Sequence, residues 1–295
     1  MAWIRSYRSF SWTDLARLRE IAVCRRETKQ WFAITLAYLR FMRLQYPYEV
    51  RLRSGQRLVL QEFTDLVIFW LVFARRHYPV RASDQVIVDI GANIGIFTLY
   101  ALREAPHARI IAVEPFPSTR LRLLELVERN RLRDSVTILD CALAETSGMA
   151  SMDAAEGIPS QYRRIYSEAT KTLNLKHRGI HGMGETERGI ALRKSTIGEM
   201  LEEAKIASAD LVKMNIHGSE YEVLLSAPPE VLRRCGRIAL QYHELPSNSN
   251  LNKEDIFKHL ARAGFVLALD EDTGRGVGRA ILELGTNPQE YRKAS

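Results

Sequence analysis

The chain has 295 residues, of which 46% are hydrophobic and 26% charged, and its formal net charge is +7. This length suits one α/β domain with an extension or two small domains, and the composition is typical of a folded globular protein. Residues 1–60 hold twelve Lys and Arg against four Asp and Glu, so the positive charge belongs to the N-terminal segment. No base-stacking aromatic pattern accompanies this charge, so we interpret the segment as a solvated cap and expect no nucleic-acid partner.

The cysteines and the apolar stretches indicate in which cellular compartment the protein is expected. Cys24, Cys141 and Cys235 have neither disulfide-type nor zinc-type spacing, which fits a reducing environment. The N-terminal sequence lacks the apolar core of a signal peptide. The longest uncharged apolar run, "LVIFWLVFA", is far shorter than the roughly 20 residues of a spanning helix. We therefore expect a cytoplasmic protein without a transmembrane segment.

Residues 1–80 are predicted to form a helical cap and a hairpin. Apolar positions at helical spacing predict a helix over residues 11–45. The two β-rich runs of "YEVRLRSGQRLVL" are joined by Ser and Gly, which predicts a hairpin. Asp65 is expected to begin an apolar helix that ends near His77. The cap would cover an acceptor site or mediate formation of a homo-oligomer.

Strands and helices alternate through residues 81–295, which we interpret as the main domain. Runs such as "QVIVDI" and "RIIAVEP" are each followed by a helix-like run, and "VTILDCAL" is predicted as one further strand. "FVLALD" and "RAILELG" are expected to close the chain as an antiparallel pair at the sheet edge. This alternation predicts an α/β fold with a doubly wound, mostly parallel sheet. The Gly-, Lys-, Arg- and His-rich segment 150–195 is interpreted as an insertion over the active face.

The stretch "VIVDIGANIGIF" places Gly91 and Gly95 directly after the first strand of this alternation. Ligands of doubly wound sheets bind at the carboxyl ends of the strands. Gly91 permits a tight turn, and Gly95 permits the close approach of a ligand or a helix. Glu114 follows the next strand, about 20 residues on, where an acid meets ribose hydroxyls in nucleoside-binding folds. The combination predicts a nucleoside-containing ligand, whereas glycines alone would indicate only a tight turn.

Two cofactors are compatible with a glycine loop of this kind. A dinucleotide site usually carries G-x-G-x-x-G, and here Asn93 stands where that motif has its second glycine. An asparagine there would crowd a pyrophosphate, a group that S-adenosylmethionine (SAM) does not have. The loop therefore favours SAM, and an NAD-dependent oxidoreductase is the alternative.

Five segments occur in the order seen in FkbM-family methyltransferases, and the chain resembles that family from about residue 48 to 285. They are "VIVDIGANIGIFTLYAL", "IAVEPFPSTRLRLLELVERN", "VTILDCALAETSG", "STIGEML" and "DLVKMNIHGSEYEVLLSAP". The resemblance implies a class I, Rossmann-like fold with a seven-stranded sheet and SAM as cofactor. It also implies O-methylation of a hydroxyl on a small-molecule, natural-product or glycan acceptor.

The resemblance also implies, position by position, which residues contact the cofactor. The loop residues expected to hold the methionine part are Asp89, Gly91, Ala92, Asn93 and Gly95. Glu114, followed by Pro115, is expected to meet the ribose. The residues expected to border the adenine are Asp140, Cys141 and Ala142.

A second polar cluster, in "KMNIHGSEYE" and "LQYHE", supplies the candidates for catalysis, which are His243, His217, Asn215 and Glu220. Histidine titrates near neutral pH, so either histidine could take the proton of an acceptor hydroxyl. Strand alternation would place Lys213, Asn215 and His217 on one side. Ser219 is expected to cap the following helix. Glu220 could pair with Lys213, favour the helix dipole or orient the substrate.

Three positions of this cluster depart from the resembled family. The family more often has acids at positions 215, 217 and 241, where this chain has Asn215, His217 and Gln241. Because carboxylates are the main ligands of hard cations, these departures argue against a divalent metal site, and we predict none. They also keep open a second hypothesis, a non-catalytic protein that binds SAM or a glycan.

Overall fold

The computed structural model describes residues 12–152, 190–244, 251–272 and 277–285. The chain divides into two compact units, residues 1–77 and 78–295. Among the described residues, none of the helices combines the length and the apolar character needed to cross a membrane.

The described part of the first unit contains helices and a hairpin. Its elements are α1 (Trp12–Glu27), α2 (Trp31–Tyr38), β1 (Tyr48–Arg51), β2 (Arg57–Leu60) and α3 (Phe63–Phe69), which continues into a π-helix (Trp70–Ala74). The strands β1 and β2 are antiparallel, which confirms the predicted hairpin.

The single helix predicted over residues 11–45 is wrong. Thr28 leaves the helical path to form a β-bridge with Leu52, and α2 already ends at Tyr38. The apolar helix begins two residues before Asp65, whose carboxylate instead accepts a hydrogen bond from the backbone N–H of Gln61 at 2.7 Å. Tertiary contacts with the hairpin thus override the helical periodicity of this segment.

The second unit alternates strands with helices. Its elements are β3 (Val86–Ile90), α4 (Ile96–Glu104), β4 (Arg109–Val113), α5 (Pro117–Arg129), β5 (Val136–Leu139), β6 (Cys141–Leu143), β7 (Gly148–Met152), β8 (Ile190–Ser195), α6 (Ile197–Glu203), β9 (Leu211–Met214), α7 (Glu220–Ser226), α8 (Pro229–Leu232), β10 (Arg237–His243), α9 (Lys253–Arg262), β11 (Phe265–Asp272) and β12 (Val277–Leu284).

Seven of these strands form the central sheet in the order β11-β12-β10-β9-β3-β4-β5. The five strands from β10 to β5 are parallel, and β12 runs antiparallel to both β10 and β11. The predicted doubly wound, mostly parallel sheet and its closing antiparallel pair are therefore confirmed. The chain leaves β3 towards β4 and later returns to β9 on the other side. The switch point, where such sheets bind ligands, consequently lies between the carboxyl ends of β3 and β9.

A second sheet of three strands, in the order β6-β8-β7, lies within the same unit. The single strand predicted from "VTILDCAL" is wrong, because the chain leaves the central sheet at Asp140 and β6 pairs with β8 instead. The predicted insertion at 150–195 begins in β7 and ends in β8, which pair antiparallel. Its residues 153–189 lie outside the described residues.

One buried and one exposed set of polar contacts join the amino ends of the central strands. The guanidinium of Arg237 donates to both carboxylate oxygens of Asp84, at 2.6 and 2.5 Å. One oxygen of Asp210 accepts hydrogen bonds from the backbone N–H groups of Gln85 and Val86, both at 2.8 Å. These contacts hold β3 in register with its neighbours, which in turn sets the positions of the loops at the opposite, carboxyl edge.

Candidate active site

The glycine loop connects β3 to α4 at the switch point. Gly91, Asn93 and Gly95 all adopt left-handed backbone conformations, with φ of 74°, 52° and 87°. A Cβ on Gly91 would lie 2.3 Å from the backbone oxygen of Asn215, and one on Gly95 would lie 2.6 Å from Cδ1 of Leu123. The lack of a side chain at Gly91 therefore lets the end of β9 pack closely, and the lack of one at Gly95 does the same for helix α5. Of the two neighbours expected at Gly95, a ligand or a helix, the structure shows the helix.

A buried ion pair between Asp89 and Lys213 contacts this loop through the carbonyl oxygen of Gly91. The carboxylate of Asp89 is fully buried and accepts hydrogen bonds from Oγ1 of Thr98 at 2.8 Å and from Nζ of Lys213 at 2.9 Å. The same ammonium donates to the carbonyl oxygen of Gly91 at 2.9 Å. Lys213 thus pairs with Asp89, which speaks against the first of the three roles considered for Glu220, a pairing with Lys213. Asp89 joins β3, α4 and β9 into one rigid support.

Glu114 lies at the end of β4 with its carboxylate against the glycine loop. One oxygen accepts a hydrogen bond from the backbone N–H of Asn93 at 2.8 Å, and the other from that of Phe116 at 3.1 Å. Burial raises the pKa of Glu114 to about 7, against the lowering effect of these two bonds and of the Lys213 charge. A buried carboxylate of this kind gains most from a ligand that brings hydroxyl donors.

The residues predicted to border an adenine separate into an exposed and a buried set. Asp140 is exposed and accepts a hydrogen bond from Arg193 at 3.1 Å. Cys141 and Ala142 are buried in β6. The backbone N–H of Glu114 donates to the carbonyl of Leu139 at 3.1 Å, so the chain at Asp140 follows directly on the strand beside Glu114.

A third buried carboxylate joins the turn after β9 to the end of β10. Glu220 is fully buried and accepts hydrogen bonds from the backbone N–H groups of Ile216 at 2.9 Å and Gly218 at 2.6 Å. Nδ1 of His243 lies 3.2 Å from Oε1 of Glu220. Nδ1 of His217 lies 3.2 Å from Nε2 of His243. The candidates Glu220, His243 and His217 are thus brought together in a row.

The local backbone explains this row and corrects two expectations. The strand ends at Met214, and His217 has a left-handed φ of 57°, so the predicted alternation of Lys213, Asn215 and His217 along one extended strand is wrong. The expected cap is also wrong, because the Ser219 side chain makes no capping hydrogen bond to α7. Burial alone would raise the pKa of Glu220, but the neighbouring His243 and the backbone donor of Ile216 outweigh it and hold the pKa below its ordinary value.

Two aromatic residues, Tyr78 and Phe97, also lie at the carboxyl edge of the sheet and were not among the predicted site residues. The hydroxyl of Tyr78 donates to Oε1 of Gln241 at 3.1 Å, and its ring packs edge-on against Phe97 at 5.5 Å between centroids. Burial, and then the charge of Asp89, raise the pKa of Tyr78 well above its ordinary value. Tyr78 lies in no recognisable motif, so only the fold could reveal it.

Asn215 presents a buried amide oxygen at the same edge. Its Oδ1 has no hydrogen-bond partner among the described residues. An unsatisfied buried oxygen is costly, and a ligand donor would relieve that cost. In the described part of the chain, groups of three or more His, Cys, Asp or Glu that could hold a metal ion are not found.

The strand order and the polar groups gathered at the carboxyl ends of β3, β4, β9 and β10 define a doubly wound, Rossmann-like domain with a ligand site at its switch point. Residues 89–267 match the family profile described as "Methyltransferase FkbM domain". This match spans more than half of the chain, which therefore belongs to the FkbM methyltransferase family.

Individual relatives are similar over parts of the chain. The AMB antimetabolite synthetase AmbE of Pseudomonas aeruginosa is 27% identical over 76% of this chain, but the match spans 12% of the synthetase. The 31-O-demethyl-FK506 methyltransferase FkbM of Streptomyces tacrolimicus is 23% identical over 74% of this chain and 85% of its own length. The hexuronic acid methyltransferase AglP of Haloferax volcanii is 24% identical, over 67% and 71% respectively. Three curated relatives are matched over only 12% to 63% of their own length.

Proposed function

We propose that this protein binds SAM at the carboxyl edge of β3 and β4 and transfers its methyl group to a hydroxyl oxygen. The observation that carries the proposal is the buried Glu114 carboxylate, which accepts the backbone N–H of Asn93 from the glycine loop. Membership of the FkbM family supports methyl transfer as the reaction.

The residues at this edge fit SAM by their chemistry. The Glu114 carboxylate offers acceptors for the ribose hydroxyls, and the unsatisfied Oδ1 of Asn215 offers one for an N–H or O–H donor. Asn93 holds a left-handed conformation and donates its N–H to Glu114, so its backbone is not arranged around a pyrophosphate. Asp89 is proposed to act through the loop that it supports, because its carboxylate is fully buried.

When bound, SAM supplies a methyl group activated by its sulfonium. The protein must then position the acceptor oxygen and take up its proton. His217, which follows the strand β9 next to β3, and His243, at the end of β10, are the proposed groups for the proton.

The names of two relatives support a hydroxyl-bearing acceptor. One is called a methyltransferase of 31-O-demethyl-FK506, and the other a methyltransferase of hexuronic acid. We therefore propose a small molecule, natural product or glycan as the acceptor.

A second candidate, a SAM-binding protein without methyl transfer, is favoured by the neutral side chains of Asn215 and Gln241. These stand at the edge where the proposed reaction would occur, and Gln241 is already engaged by Tyr78. The two functions differ in one outcome, since only the enzyme would pass a labelled methyl group to an acceptor.

Thermal unfolding with added ligand tests the proposal. We expect SAM and its demethylated product to raise the melting temperature in a concentration-dependent manner, and NAD to leave it unchanged. Stabilisation by NAD instead would contradict the proposal. A screen of hydroxyl-bearing compounds with methyl-labelled SAM then separates the enzyme from the non-catalytic binder.

A further inference from the structure

The row of Glu220, His243 and His217 has a direction, which follows from the hydrogen-bonding capacity of each group. An ionised carboxylate only accepts hydrogen bonds, whereas a neutral imidazole donates from one nitrogen and accepts at the other. Glu220 is fully buried, and its two oxygens face two backbone N–H groups and Nδ1 of His243. A carboxylate surrounded by donors in this way is held in its ionised form.

The protons of both rings are then determined. Nδ1 of His243 must carry a hydrogen in order to donate to Oε1 of Glu220 across 3.2 Å. In the neutral ring this leaves Nε2 of His243 as an acceptor, so Nδ1 of His217, 3.2 Å away, must be the donor. A neutral His217 protonated at Nδ1 has its lone pair on Nε2. While both rings are neutral, the carboxylate therefore favours one tautomer of each histidine.

Glu220 also fixes the backbone that carries His217. Its oxygens bind the N–H groups of Ile216 and Gly218, the residues on either side of His217, which itself has a left-handed φ of 57°. One buried carboxylate thus orients the first ring directly and the second through the turn. Proton transfer in a fixed direction also requires that the two rings are held in one geometry.

We propose that Nε2 of His217 is the proton acceptor of the site, and that His243 and Glu220 are positioning residues that keep this nitrogen basic. The proposal rests on the methyl-transfer function proposed above. In the step, the acceptor O–H bond breaks and its proton forms a bond to Nε2 of His217. The oxygen bonds to the methyl carbon, whose bond to sulfur breaks with the electron pair left on sulfur. The imidazolium charge is stabilised through His243 by the carboxylate, as in other carboxylate–histidine arrangements.

Nitrogen-15 NMR of the protein with labelled histidine tests the proposal without an acceptor. At a pH where both rings are neutral, we expect His217 and His243 each to show a protonated Nδ1 and an unprotonated Nε2. The variants His217→Gln and His243→Leu assign the signals. In His243→Leu we expect His217 to lose its single tautomer, because the acceptor of its Nδ1 hydrogen is gone. A protonated Nε2 on either ring of the unaltered protein would overturn the proposal.

SAM binding to the same samples separates this proposal from the one on which it rests. If SAM binds and the tautomers are reversed, the relay is wrong and the cofactor site stands. If the tautomers are as stated and SAM does not bind, the cofactor site fails. With an acceptor from the screen, His217→Gln should slow single-turnover transfer by about 10²- to 10⁴-fold at unchanged SAM affinity. An unchanged transfer rate would show that His217 is not the base.

Discussion

Asp89 and Glu220 are two fully buried carboxylates at the same edge of the sheet, and they have different partners. Asp89 meets the ammonium of Lys213 and the hydroxyl of Thr98. Glu220 meets backbone N–H groups and the imidazole of His243. A lysine ammonium only donates hydrogen bonds, whereas a neutral imidazole donates from one nitrogen and can accept a proton at the other. The first arrangement therefore suits a fixed support, and the second suits a group that exchanges protons.

The largest loss of stability is expected when the ion pair between Lys213 and Asp89 is removed. Lys213→Met leaves Asp89 buried without its cation, and removal of one partner of a buried pair costs about 3–5 kcal/mol. Urea unfolding measures this loss. The matched control is Arg81→Ala, which removes an ion pair with Glu283 that is largely exposed and should cost less than about 1 kcal/mol. Equal losses in the two variants would show that Asp89 does not depend on Lys213.

Glu114 is a third buried carboxylate at this edge, and two backbone N–H groups donate hydrogen bonds to it. Its pKa rises from the ordinary 4.5 to about 7, so the folded state holds the proton more tightly than the unfolded state. Stability should therefore fall as the pH rises from 4.5 to 7, by about 3 kcal/mol in total, and then level off. The variant Glu114→Gln should lack this fall. Urea unfolding of both proteins at several pH values checks it, and parallel pH profiles would contradict the raised pKa.

Gly91 tests how closely the end of β9 approaches the loop. In Gly91→Ala the new Cβ would lie 2.3 Å from the backbone oxygen of Asn215, which cannot move as a side chain can. In the control, Gly264→Ala, the backbone is also left-handed, but the nearest atom is at 3.6 Å. We expect Gly91→Ala to lose about 2 kcal/mol more stability than the control. If thermal unfolding gives the two variants the same loss, the packing explanation for Gly91 is wrong.

The smallest expected effect belongs to Asp140, an exposed carboxylate paired with Arg193. Asp140→Ala should change stability by less than about 0.5 kcal/mol, as is usual for surface pairs. If the residue borders the adenine, SAM affinity should still fall by about 3- to 10-fold. Calorimetry with SAM measures this, with Glu125→Gln as an exposed control on α5. An unchanged affinity would remove Asp140 from the proposed cofactor site.

The sequence was sufficient for those features that depend on local pattern. Alternating periodicity predicted the doubly wound sheet, and the spacing of Gly91 and Glu114 placed both at neighbouring strand ends, where the structure has them. The break at Asp140 was missed, because the residues on both sides have the same β-rich composition and only their pairing partners differ.

Features that depend on distant residues could not be obtained in this way. The pairing of Lys213 with Asp89 instead of Glu220 is decided by the adjacency of β9 and β3, which the local sequence does not encode. The left-handed turn at His217 results from the Glu220 side chain binding the backbone around it. The place of Tyr78 beside Phe97 and Gln241 is likewise set by the assembled sheet.

Calorimetric titration of SAM into the unaltered protein and into Glu114→Gln tests whether the Glu114 carboxylate forms part of a SAM site. We expect that SAM binds, that NAD does not, and that Glu114→Gln weakens SAM binding by at least about 10-fold, since an amide N–H₂ group replaces one of the two oxygens that would accept the ribose hydroxyls. Exposed Glu125→Gln should bind as the unaltered protein does. Binding of NAD, or SAM affinity that is equal in the Glu114→Gln variant, would contradict a SAM site built on Glu114.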